Sequence, residues 1–278
     1  MNKLLIIDGH NLLFQMFFGM PTRIVNKEGI AIHAVIGFVG AVNKMIAATQ
    51  STHVLAIFDG ETANPRKSID ENYKSNRKDY SAVDDASNPF SQLQFVYDAL
   101  DEMGIVHAET TDSEADDVIA VYASQADESF PLVIASHDSD FFQLVNTNVS
   151  ILLYRGKNSI TVDEKYILEK YGISPQNYAL FKSLTGDKAD NIAGISGIGP
   201  KTAASLTCDV TTPDQLFEKC RNLQGNAAQR VLQNRAKVLT NYSLIKPSDT
   251  TAIPFKATNL PPLHEQRKTT EIIRAIGL

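Results

Sequence analysis

Residues 110–123 read TTDSEADDVIAVYA and place Asp112, Glu114, Asp116 and Asp117 within six residues, at the mouth of an apolar run. A helix N-terminus accommodates one or two such acids. Ser113 or Asp112 can cap it, and each carboxylate in the first turn gains about 0.3–1 kcal/mol from the helix dipole. Four acids exceed what that effect supports, because like charges this close repel. Comparable acids recur in four other segments: Asp8 in LLIIDGHN, Asp59 in LAIFDG, Asp138 and Asp140 in ASHDSD, and Asp187 and Asp190 in TGDKADN. Any one of them alone reads as a cap or turn residue. Gathered in one place they would repel, and some would protonate, unless a counter-ion joined them. Hard divalent cations meet that need, and an all-oxygen donor set with few histidines favours magnesium or manganese over zinc.

The elements that would gather these acids are readable. Apolar runs at 4–7, 54–58, 132–135 and 151–154 have the length and branching of buried strands. Amphipathic segments of helical length lie between them at 34–49, 90–103 and 114–124. The alternation predicts an α/β fold, a mainly parallel twisted sheet flanked by helices on both faces. Three of the runs lead into Asp8, Asp59 and Asp138, at the carboxyl ends of the strands, where open α/β sheets bind their ligands. Glu114 and Asp117, like Asp187 and Asp190, are three apart and share a face of a turn or helix. Asp116, in a first turn, reaches past the helix end. Residues 65–90 are polar, charged and poor in aliphatics, which predicts an exposed, mobile insertion. Strand signals fade after residue 165. We therefore expect an α/β domain over 1–165 and a helical domain over 166–278.

The formal charge of -6 and pI near 5.5 argue at first against a polyanionic partner. Setting the nine clustered acids aside leaves 26 basic against 23 acidic residues, a balance of +3, so nucleic acid is not excluded. No apolar run approaches the roughly 20 residues of a membrane span, and the N-terminus lacks a leader pattern. Cys208 and Cys220 form neither a disulfide framework nor a metal spacing. These features predict a soluble cytoplasmic protein.

The ordered set IIDGHNLLF, IFDG, EADDVIA, HDSDFFQL and GDKADNIAGISGIGPKTA resembles the 5′-nuclease family. That family includes the 5′-3′ exonuclease domain of bacterial DNA polymerase I, free-standing bacterial relatives, and phage and eukaryotic flap endonucleases. No polymerase segment follows, so the resemblance is to the free-standing form. It implies a PIN-like core and two Mg2+ ions, replaceable by Mn2+. Asp8, Asp59, Glu114 and Asp116 would face the first ion, and Asp117, Asp138, Asp140, Asp187 and Asp190 the second. EADD would stand at the junction of both. Two such cations activate water and stabilise the leaving oxygen of a phosphodiester displacement, with no nucleophilic Ser or Cys. His10, His33 and His137 read as packing or hydrogen-bonding residues.

The same resemblance casts residues 65–90 as a helical arch. Arg66, Lys74 and Arg77 would supply positive charge, Lys74 and Arg77 acting on the scissile phosphate, and Tyr73 a stacking face for a base. GISGIGPKTA, residues 194–203, resembles a helix-hairpin-helix loop. Its Gly197, Ile198, Gly199, Pro200, Lys201 and Thr202 would grip duplex DNA through free amides at a helix N-terminus, with glycines allowing the close turn. Backbone carbonyls of Leu184, Thr185, Ala193, Ile195 and Ile198 would hold K+. The expected activity is a monomeric, structure-selective 5′-nuclease acting on flapped, nicked or gapped DNA in replication and repair. A PIN-type ribonuclease would lack the GIGPKTA loop, a non-catalytic branched-DNA-binding protein would have lost acids, and a DxD phosphatase needs an acid where His10 stands.

Overall fold

The computed structural model describes residues 2–60, 65–248, 250–264 and 266–278. Strand β1 (Leu4–Asp8) is buried along its whole length. Its side chains alternate between two cores: Leu5 and Ile7 pack with helices α1 (Gly9–Gly19) and α2 (His33–Thr49), while Leu4 and Ile6 join the opposite core. Burial on both faces is why the run reads as continuously apolar rather than alternating. Strand β2 (His53–Phe58) repeats the division, with Val54, Ala56 and Phe58 on one side and Leu55 and Ile57 on the other.

The chain continues through α3 (Leu93–Glu102), β3 (Val106–Glu109), α4 (Ala115–Gln125), β4 (Leu132–Ala135), β5 (Val149–Leu153) and β6 (Ile160–Val162). The sheet order is β3-β2-β1-β4-β5-β6, parallel throughout except for β6, which runs antiparallel to β5. After β1 the chain builds outward through β2 and β3, then returns to lay β4 on the other side of β1. That reversal opens a crevice at the carboxyl ends of β1 and β4, the switch point at which open sheets bind ligands.

Helices α5 (Glu164–Tyr171), α6 (Tyr178–Thr185), α7 (Pro200–Thr207), α8 (Pro213–Asn222), α9 (Asn226–Gln233) and α10 (Arg235–Ile245) follow, with the short antiparallel pair β7 (Gly186–Asp187) and β8 (Ile192–Ala193) after α6. The division expected at residue 165 falls inside α5. One hydrophobic core runs from β1 through Phe141 and Tyr178 to Leu216 and Val238. The last helix, α11 (Thr269–Ala275), packs back on α2 and α3, so the C-terminal residues close the first layer. Among the described residues no helix is long and apolar enough to cross a membrane.

Candidate active site

Asp8 ends β1 and caps α1, its Oδ1 accepting the Asn11 amide at 3.2 Å. Ser136, just beyond β4, donates its hydroxyl to Asp8 Oδ2 at 2.7 Å and accepts the Asp138 amide at 3.0 Å. Asp138 Oδ1 accepts the Asp140 amide at 2.8 Å. The two strands flanking the switch point are thus tied through one serine hydroxyl. Asp59, after β2, accepts the Ala115 amide at 2.7 Å and satisfies a free donor at the start of α4, whose own N-cap, Glu114, makes no capping bond. Gly60 lets β2 pass the next segment closely: a Cβ there would lie 1.8 Å from the Thr110 carbonyl oxygen.

The electrostatics follow from this convergence. Burial, then Asp59 and Asp138, push the Asp8 carboxyl up to about 6 against the pull of the Ser136 hydroxyl. Burial and the Asp138 charge hold Asp116 well above the ordinary carboxylate range, with Asp59 and Asp8 adding to the effect and Lys74 opposing it. Asp138 is raised by burial and by Asp190 and Asp187, and Asp140 by burial, Asp138, Asp187 and Asp190. The carboxylates therefore form one mutually repelling series running from Asp59 through Asp8, Asp116 and Asp138 to Asp140, Asp187 and Asp190. Its junction is Asp116 with Asp138.

Glu114 and Asp117 are engaged elsewhere. Arg66, 6% exposed, pairs with Glu114 through one guanidinium nitrogen and with Asp117 through the other at 2.5 Å. Asp117 also accepts the Ser248 amide at 2.7 Å, and Glu114 accepts Lys74 Nζ at 2.9 Å and the Tyr73 hydroxyl at 3.2 Å. The resemblance places both acids at the junction of two metal sites, and in the fold both pair with basic side chains.

The segment expected as a helical arch consists of turns between two 3-10 segments, Pro65–Ser68 and Pro89–Gln92. Tyr73, expected as an exposed stacking face, is 3% exposed, and Arg66 is similarly enclosed. Around these two, residues 67–69, 71 and 72 are exposed. Turn 72–77 is fastened to the turn carrying Asp187 and Asp190. The Lys74 amide donates to the Asp190 carbonyl at 3.0 Å and Arg77 to Asp190 Oδ1 at 2.8 Å. Asn191 donates to the Asn72 carbonyl and Ser75 Oγ, both at 3.0 Å. Lys74 (φ 55°) and Asn191 (φ 59°) both sit in the left-handed region, a conformation that persists only where surroundings impose it.

A cavity of about 1090 Å³ opens over the series, with Asp8, Asp59, Asp116 and Asp138 in its lining. Lys67, Lys74, Arg77 and Lys78 supply a basic wall, and Phe14, Tyr80 and Phe90 an aromatic one. The three rings meet edge to face with centroids 5.3–5.9 Å apart. Sequence reasoning missed this wall, since Phe14 looks like helix core and Phe90 like the start of α3. It also missed Lys182, a lysine inside the apolar stretch YALFKSLT. Its only sequence signal is a charge where helix periodicity demands an apolar residue.

Among the described residues no three His, Cys, Asp or Glu side chains stand as a ready-made metal cage. The donor set nevertheless fits hard cations. It is all carboxylate, its members raise one another's proton affinity, and Asp140 Oδ1 is buried without a hydrogen-bond partner among the described residues. A pH dependence follows. Between about 3.8 and 6 the folded chain retains a proton on Asp8 that the unfolded chain has lost, so metal-free stability should fall as pH rises across that window, by roughly 3 kcal/mol from this group. Asp59 and Asp187, held below the usual range, act oppositely and only at lower pH. Urea unfolding in chelator between pH 4 and 7 reads the slope, and Mg2+ should flatten it. Stability that rises with pH in chelator would contradict the placement of Asp8.

Within the loop 194–203, Gly197 and Gly199 differ in backbone conformation. Gly197 carries the positive φ, 77°, whereas Gly199 is at φ -88° with open space where a Cβ would stand. The strained position is therefore Gly197, next to Ser196, whose carbonyl accepts Arg230 of α9 at 3.0 Å. Gly199 is the N-cap of α7, followed by Pro200, with no side chain satisfying the first amides. Leu184, Ala193 and Ile195 carbonyls each already accept one hydrogen bond, from Ile195, Asn241 and Ile198.

Residues 3–172 match the family described as 5'-3' exonuclease, N-terminal resolvase-like domain, and residues 173–268 the 5'-3' exonuclease, C-terminal SAM fold. The chain is 33% identical over 248 residues to DNA polymerase I of Bacillus caldotenax and 30% over 245 residues to that of Mycobacterium leprae, covering 87% of this chain in each case. It spans about a quarter of the length of these relatives, 27% and 26%. Its fold is similar to bacteriophage T5 flap endonuclease solved with DNA and metal ions (TM-score 0.70, 19% identity, 88% of this chain and 89% of that one). Human GEN1 with Holliday junction DNA gives a TM-score of 0.59 at 15% identity, over 99% and 66% of the two chains.

Proposed function

Because this chain belongs to the 5′-3′ exonuclease family, we propose that it hydrolyses phosphodiester bonds of flapped, nicked or gapped DNA from the 5′ side, in replication and repair. The observation that carries the reading is the carboxylate series meeting at Asp116 and Asp138 beneath a cavity with a basic wall. Asp8, Asp59, Asp116 and Asp138 would hold one divalent ion, and Asp138, Asp140, Asp187 and Asp190 a second. Glu114 and Asp117 act indirectly, by seating Arg66 and Lys74. Divalent cations bound there supply Lewis-acid polarisation of the phosphodiester and lower the pKa of the attacking water.

The remaining work falls to the chain's own side chains. Lys74 and Arg77, fixed by the 187–191 turn, present positive charge where a phosphate would lie and stabilise charge developing on it. Phe14, Tyr80 and Phe90 take over the stacking role expected of Tyr73 and receive an unpaired base. The free amides of α7 and Lys201 hold the duplex, and K+ binds the carbonyls of Leu184, Thr185, Ala193, Ile195 and Ile198. The complete acid set favours hydrolysis over binding alone.

End-labelled 5′-flap, nicked and single-stranded DNA, incubated with Mg2+ or chelator, test the reading. Mg2+-dependent release of 5′ fragments from the flap is expected, and tight binding without cleavage would leave a branched-DNA-binding protein. Lys201→Ala should flatten the log-log salt slope of duplex affinity by about one unit, the change expected when one fewer phosphate is neutralised, while single-turnover cleavage at saturating enzyme stays at the parental rate. An unchanged slope would reduce the loop to a structural turn.

A further inference from the structure

Lys182 projects from α6 into the far end of the carboxylate series and is only 9% exposed. Its ammonium pairs with Asp187, lies 3.5 Å from Asp140 Oδ1 and donates to Ser139 Oγ at 3.2 Å. Among the described residues it is the one cation that reaches that otherwise unpartnered oxygen. Arg77, the other cation at this end, holds Asp190 from a half-exposed position, 51%, on a surface turn. Half in solvent, that guanidinium has its charge partly screened by water. Lys182 is screened far less, because it is 9% exposed on a helix buried along nearly its whole length.

From this geometry we infer that Lys182 is a built-in monovalent cation that sets the charge of the second acidic cluster and keeps its divalent-ion affinity weak. Asp140, Asp187 and Asp190, together with the Asp138 shared with the first ion, form a strongly negative cluster, and the fixed ammonium cancels one of its charges. A carboxylate already sharing an ammonium offers less to an incoming ion, and the ammonium repels that ion across a few ångströms of poorly screened space. The cation at the Asp8 end, Lys74, is as enclosed as Lys182 and its charge acts on Asp59, Asp116 and Asp138, but its ion pair is with an acid outside the proposed ion-holding set. At that end Lys74 is directed to Glu114 from the 72–77 turn. The two ends should therefore differ in affinity, the Asp8 end filling first. Lys182 is a positioning residue here: it acts through Asp140 and Asp187. The inference rests on the two-ion reading proposed above.

The test is Mn2+ binding by the DNA-free protein, followed by calorimetry and by the paramagnetic signal of free Mn2+. Lys182→Met keeps the length and packing of the stem and removes the charge, while Lys182→Arg keeps the charge. Lys182→Met should tighten the weaker Mn2+ site by at least about tenfold, a modest result for removing one whole charge at this distance. Lys182→Arg should leave that site weak. Because Lys182→Met exposes three buried acids to one another, its stability is read separately. Its melting temperature in chelator should fall, and Mn2+ should raise it by more than it raises the parental protein. A weaker site that is unmoved or looser in Lys182→Met, with a parental metal response in melting, overturns the role of Lys182 alone. A parental protein that binds no Mn2+ overturns the two-ion reading and this inference with it.

Discussion

Asp116→Ala should abolish DNA hydrolysis, by at least about 10²–10³-fold in single-turnover rate, while making the metal-free protein more stable. The two effects share one cause. Asp116 is raised well above its ordinary range by burial and by Asp138, Asp59 and Asp8, and the attraction of Lys74 does not offset that burden. Truncation therefore removes repulsion and forfeits at most a small first-turn helix-dipole gain. The same carboxylate stands against Asp138, the acid both proposed ions would share, so its loss takes one ligand from the first proposed ion at the junction of the series. Urea unfolding in chelator at neutral pH reads the stability, and end-labelled flap cleavage in Mg2+ reads the activity. A variant that cuts at the parental rate, or that unfolds more readily in chelator, contradicts the central position given to Asp116.

Arg66→Ala should cost about 3–5 kcal/mol of stability, the range for removing one partner of a buried charge pair. Its guanidinium lies between Glu114 and Asp117, all three enclosed, and its departure leaves Asp117 without a cation and Glu114 with Lys74 alone at the start of α4. For a chain of this size the melting point should drop by about 10 °C. The motif pattern alone places Arg66 on the DNA, and the two roles separate cleanly. A structural Arg66 yields a variant that melts early but binds flapped DNA with parental affinity at low temperature. A variant of parental stability and reduced affinity would return Arg66 to the DNA.

Asp8, Asp59 and Asp138 are legible because each follows an apolar run that only a buried strand explains, and the end of a parallel strand fixes where its next residue lies. β3 and β6 are not. Val106–Glu109 is a half-buried edge strand without an apolar stretch, and Ile160–Val162 is three residues long. The interior of the site is less readable still. Tyr73 lies in a polar segment and looks exposed, yet its hydroxyl reaches Glu114, 41 positions away. No local pattern encodes a partner so distant. Lys182 fails for the converse reason: its helix is apolar enough for burial, and the residues that make a buried ammonium tolerable come from β4's end and from beyond α6. Charge pairing across the fold decides these cases, whereas periodicity reports only which way an element faces.

The acid series has a consequence for how the chain acquires activity during synthesis. Its members enter the sequence between residues 8 and 190, and the contacts that join its segments close long loops, Ser136 with Asp8 and Arg77 with Asp190 among the longest. Such contacts form late, after the loop entropy has been met by the hydrophobic layers. Until then the carboxylates are dispersed and hydrated, and a nascent or truncated chain holds at most fragments of the set. The nuclease proposed above would on this basis cut no DNA until its acids, the last of them at residue 190, have been synthesised and folded together. The repulsion that makes the finished site costly also discourages its premature assembly.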